Sequence, residues 1–156
     1  AYILPYFHYC PLVWMFCYKK ENNLINKVHK RALRTIYDNR TLGLQELLAI
    51  DNTVSIHVRH LQILMTETFK SIHSESPEIM CKLFQLKNRP YNLRGQSLLK
   101  IPIVKTLTHG TNSLFFKASI LWNLLPNEYK KAKSVSQFKN KIRKWLGNFC
   151  QCRICK

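Results

Sequence analysis

The stretch from Tyr9 to Tyr37, YCPLVWMFCYKKENNLINKVHKRALRTIY, is the feature that most narrows what this chain can fold into. Its first half is aromatic and apolar, and its second half has the period of an amphipathic helix. With Ile25 at zero and a step of 100° per residue, Val28, His29, Ala32 and Ile36 fall within about 60° of it. Lys27, Lys30, Arg31 and Arg34 gather near the opposite side. One face is suited to burial and the other to an anion.

Residues 2–18 read as one helix, or as two short pieces broken near Pro11, apolar on most sides and therefore expected to be buried. Asn22 or Asn23 is expected to cap the next helix, which runs to about Asp38. Asn39, Arg40 and Gly43 mark a turn before a short helix over Leu44 to Ile50. Thr53 to His73 is the longest regular element, with Val54, Val58, Leu61, Leu64, Met65, Phe69 and Ile72 in one stripe. Ser76-Pro77-Glu78 opens a further helix. From Gln85 to Ser113 the helical period disappears among Pro90, Gly95, Pro102 and Gly110. Helices return at Leu114–Leu125, stopped by Pro126, and after the capping-box pattern Ser134-Val135-Ser136-Gln137. Val135, Phe138, Ile142, Trp145 and Leu146 supply the last buried stripe. The expected fold is mainly α: a bundle of about six or seven helices with a small β-hairpin or irregular insert around residues 85–113. It divides into a helical region, 1–84, and a basic region, 85–156, within one compact unit.

Charge narrows the partners. The formal net charge is +17, and it is segregated. Residues 1–78 hold nine Lys/Arg against seven Asp/Glu, whereas residues 79–156 hold sixteen against Glu128 alone. Segregation on this scale points to a polyanion, nucleic acid before an acidic membrane surface. A membrane contact would fall on the Phe138–Leu146 helix, but the apolar run Tyr2–Tyr18 is interrupted by Pro5, His8 and Pro11 and falls short of the ~20 residues a span needs. Lys27, Lys30, Arg31 and Arg34 are the first candidates for phosphate contact, with Arg89, Arg94, Lys139, Arg143 and Lys144 behind them.

Catalytic chemistry is not visible. Two-metal phosphoryl transfer needs at least two carboxylates converging on ions ~4 Å apart, and the eight acids offer no such pair. There is no Gly-rich phosphate loop. His57 and His60, three apart on a helix, could share a metal, but they read rather as structural, with His60 on the polar side and no carboxylate or Cys obviously placed to join them. The spacing of the six cysteines is not that of a small secreted scaffold, which suggests a reducing, intracellular setting, nucleus or cytoplasm. Cys150, Cys152 and Cys155 form a C-x-C-x-x-C run that either holds zinc with a fourth ligand from elsewhere or stands as three thiols on a basic tail.

Tyr9-Cys10-Pro11-Leu12-Val13-Trp14 followed by Arg31-Ala32-Leu33-Arg34 resembles the end of the reverse transcriptase in jockey-like non-LTR retrotransposons. The likeness continues through Ile56-His57, Arg59, Leu61-Gln62 and Ser76-Pro77-Glu78-Ile79-Met80. It resumes at Tyr91-Asn92-Leu93-Arg94, His109-Gly110, Trp122-Asn123-Leu124-Leu125-Pro126, Phe138-Lys139 and Lys144-Trp145. The run Lys117-Ala118-Ser119 departs from that pattern. The resemblance implies the thumb and post-polymerase region of an RNA-directed DNA polymerase, cut from a longer polypeptide. It would grip template-primer RNA and DNA and dock on an upstream palm. The palm would carry the catalytic aspartates and their Mg, so no catalytic residue is carried onto this chain. The alternative is a stand-alone, non-enzymatic nucleic-acid or protein-binding remnant of such an element.

Overall fold

The computed structural model describes residues 3–87, 98–106 and 109–155. Among them are nine α-helices and one 3-10 turn: α1 (Leu4–His8), α2 (Pro11–Trp14), α3 (Lys19–Ile36), α4 (Leu44–Ile50), α5 (Ile56–Ile72), α6 (Glu78–Leu83), the turn Gly110–Asn112, α7 (Leu114–Leu124), α8 (Asn127–Lys130) and α9 (Val135–Ile142). The mainly helical class is as the periodicity indicates. Of the insert expected around residues 85–113, the described residues show one antiparallel bridge, Leu86 with Leu99, and no strand; residues 88–97 and 107–108 lie outside them. The chain divides into two compact units, Ala1–His60 with Arg153–Lys156, and Leu61–Cys152. The division falls within α5 and again within the tail.

In the first unit the apolar N-terminal stretch breaks into two short helices at Cys10, whose backbone is left-handed (φ 43°). Pro11 requires the residue before it to leave the helical region, which explains the break. The expectation of burial fails here. Met15 is buried, but Tyr6, Tyr9 and Val13 are exposed: a segment that is apolar on most sides has more apolar surface than the one side its neighbours cover. Helix α3 starts four or five residues earlier than a cap at Asn22 or Asn23 would place it. Tyr18 is the N-cap, and Asn22 lies buried inside the first turns. At its other end Asn39 Oδ1 accepts from the backbone N–H of Thr41 and Leu42, and Glu46 accepts from Gly43 N–H at 2.6 Å, so the turn into α4 is closed by side chains. Leu33, Leu47 and Leu48 form the core between α3 and α4.

The second unit is built on aromatic stacking. Phe69 and Phe138 stack with centroids 4.4 Å apart, and Trp122 meets them at 6.4 and 6.0 Å. Gln62 donates to the carbonyls of Arg143 and Trp145, satisfying the end of α9, and Ser134 caps its start through the N–H of Gln137. The insert is pinned by Asn123, whose side-chain amide donates to Leu99 C=O at 3.0 Å and accepts from Leu99 N–H at 2.8 Å. Gly110 is required by close approach: a Cβ there would lie 2.7 Å from Val104 Cβ. Leu146, placed in the buried stripe by its spacing, is exposed because α9 ends at Ile142 and the helical phase is lost.

Candidate nucleic-acid interface and metal centre

Helix α3 presents the cations in an ordered way. His29 and Leu33 turn inward, while Lys27 and Arg31 are exposed and Lys30 and Arg34 are half-buried. Two hollows follow the basic side, one lined by Lys20, Asn23, Lys27 and Lys30, the other by Arg31, Arg34 and Arg40. Arg34 differs from its neighbours. Its Nη2 donates to Leu42 C=O at 2.8 Å and its Nε to the same oxygen at 3.2 Å, so its guanidinium braces the α3–α4 turn. A periodicity argument puts Arg34 with the other cations and has no means of seeing that job. The apolar side is also less covered than its pattern implies, with Val28 and Ile36 exposed.

In the second unit Lys139, Arg143 and Lys144 are exposed at or just beyond α9. Phe138 and Ile142 face the core, so the helix separates charge from apolar surface over its two turns. Arg89 and Arg94 lie outside the described residues.

The cysteine run acquires a partner. One ligand atom each from His57, Cys150, Cys152 and Cys155 lies within 4.8 Å of all the others. His57 is in the first turn of α5, and the cysteines follow Gly147 and Phe149, both with positive φ, which turn the tail. Cys152 is fully buried and Cys155 is exposed. Around a tetrahedral zinc with Zn–S near 2.3 Å, sulfurs stand about 3.8 Å apart. The four residues could hold a metal ion. A set of three thiolates and one imidazole suits a soft, tetrahedral ion. The spacing of Cys150, Cys152 and Cys155 was readable in the sequence, but His57, some ninety residues away, carried no local signal.

His60 corrects the other half of that reading. It is buried rather than on a polar side, its Nε2 lies 2.7 Å from Phe7 C=O, and Trp14 and His8 meet its ring edge to face. Burial pushes the His60 imidazole down to about 4. Burial likewise lowers His29, and lowers His8 with help from Arg59. Among the described residues, the ring nitrogens of His8 and Nδ1 of His29 are buried without a hydrogen-bond partner, beside a cavity of about 120 Å³ that Leu4, Ala32 and Ile36 help to line. Asp51 is held below the usual carboxylate range by hydrogen bonds from Tyr37 and Thr53.

Among the described residues, no helix is long and apolar enough to cross a membrane. The chain matches no family profile, no curated protein and no solved structure.

Proposed function

We propose that this chain is a nucleic-acid-gripping helical module, the thumb and post-polymerase region of a non-LTR reverse transcriptase, without catalytic residues of its own. The observation that carries the reading is the division of α3 into a buried side at His29 and Leu33 and a cationic side at Lys27, Lys30 and Arg31. Cations fixed along a rigid helix neutralise successive phosphates and release their counterions, which gives affinity with little sequence preference. The exposed apolar band of Tyr6, Tyr9 and Val13 fits docking on a palm in the same polypeptide.

The test reverses Lys27, Lys30 and Arg31 to Glu together and leaves Arg34 in place, because Arg34 braces the fold. Binding to an RNA–DNA hybrid should weaken by at least about tenfold, and the slope of log affinity against log salt should shrink by about three. Unchanged affinity and slope would remove α3 from the interface.

The ion in the Cys150–Cys152–Cys155–His57 set is zinc in this reading, bound as a closed structural site that fastens the tail. The reduced chain should take up one equivalent. His57→Ala should weaken uptake beyond the roughly 10–100-fold that changes in outer-shell residues cost. Stoichiometric binding that ignores His57 would leave a three-thiolate site, and no binding would remove the metal.

A further inference from the structure

Tyr18 ends the N-terminal apolar segment and caps α3 with an extended backbone, leaving its ring 60% exposed. The guanidinium carbon of Arg153 lies over that ring, 4.6 Å from its centroid. Lys20 beside it is exposed, and the helix N-terminus adds its own positive end. Arg153 directly follows Cys152 and stands two residues before Cys155. When both sulfurs hold one ion, the backbone between them is fixed and the guanidinium stays over Tyr18. Tyrosine rings and arginine planes are the surfaces on which unpaired bases stack, and a flanking cation holds the adjoining phosphate.

Resting on the nucleic-acid reading above, we propose that Tyr18 and Arg153 form a stacking platform for one unpaired nucleobase of a single-stranded polynucleotide, set in place by the metal-bound tail. This contact differs in kind from the α3 side: it reads a base face, whereas Lys27, Lys30 and Arg31 read charge. It would hold the single-stranded extension of a substrate whose phosphates lie along the helix.

The experiment compares a labelled octa-adenylate with an abasic octamer of equal charge, binding each to the reduced, zinc-loaded full chain by fluorescence anisotropy. The adenylate should bind about tenfold more tightly, the scale of one stacked base. Tyr18→Ala should erase that difference and leave the abasic octamer unaffected, while Tyr18→Phe should keep it. Arg153→Ala should reduce the difference. Chelating the zinc should lower adenylate affinity to the Tyr18→Ala level in the parent chain and do nothing further in that variant. A ratio of adenylate to abasic affinity that survives Tyr18→Ala would overturn the platform while leaving phosphate gripping intact. Equal weakening of both octamers by Tyr18→Ala would overturn it too, since that pattern reports disturbed structure. Failure of either octamer to bind, with the hybrid also unbound, would overturn the gripping function and the platform with it.

Discussion

In the second unit Phe69, Trp122 and Phe138 are almost wholly buried and stack face to face or tilted, whereas in the first Tyr6, Tyr9 and Val13 stand largely in solvent, and a cavity of about 120 Å³ opens among His8, His29 and Leu33. The better-packed unit is also the one that holds most of the strongly basic half of the sequence. Charge therefore has not been placed at the expense of the core. Lys139, Arg143 and Lys144 ride outside a core made by Phe138 and Ile142, so the second unit can carry its charge on self-sufficient packing. The first has fewer partners for its apolar groups and leans on polar devices: Arg34 on Leu42, Asn39 and Glu46 at the turn, and His60 on Phe7.

The largest effect should come from the aromatic stack. Phe138→Ala removes a side chain with no exposure from between Phe69 and Trp122, and should cost about 3–5 kcal/mol in chemical denaturation. In the first unit Val13→Ser should fall within about 0.5 kcal/mol of the parent chain. A comparable loss at both sites would mean that the exposed segment is packed in solution.

Between those extremes lies Asn123→Ala. It strips both hydrogen bonds from the buried backbone of Leu99 and should cost about 1–3 kcal/mol. The loss should appear as faster amide exchange at Leu99 and Lys100 before any global unfolding. Exchange that speeds up uniformly would show that the insert is no separate unit of stability.

The pH response should be concentrated in the first unit. His60 binds its proton near 6.5 in the unfolded chain and near about 4 when folded, so between those values the unfolded state holds more protons. The His60 contribution is full above pH 6.5, is lost as the pH drops towards 4, and loses nothing further below that. His8 and His29, shifted the same way, add to the fall. Asp51, whose carboxyl is lowered, adds its own loss at the acid end. His60→Gln should flatten the profile across that window, read by denaturant midpoints at successive pH values. An unchanged slope would place the acid sensitivity elsewhere.

Helix existence was legible wherever an apolar period ran long enough, as along α5 and at Phe138, Ile142 and Trp145. Caps were less so. Ser134 behaved as its spacing implies, but α3 took Tyr18 in preference to Asn22, because tertiary burial of Asn22 outweighed its capping preference. Exposure of the N-terminal segment could not be read at all: periodicity states which residues are apolar, not whether anything arrives to cover them. The candidate metal cluster was half legible. Three cysteines within six residues are a local signal, while His57 is brought in by folding. Arg34 shows the converse, a cation whose spacing matches the cationic stripe and whose donors point at a carbonyl.

Helix α3 also sets a length scale. Eighteen residues at about 1.5 Å each give a rod of about 27 Å, and the span from Tyr18 to Arg31 is about 20 Å. At about 3.4 Å per base pair, a duplex laid along it is followed for roughly six to eight pairs. In the proposed role the helix would work as a ruler. Duplexes shorter than about six pairs would run out before both ends of the cationic row were engaged, and pairs added beyond about eight would bring this element no new contacts.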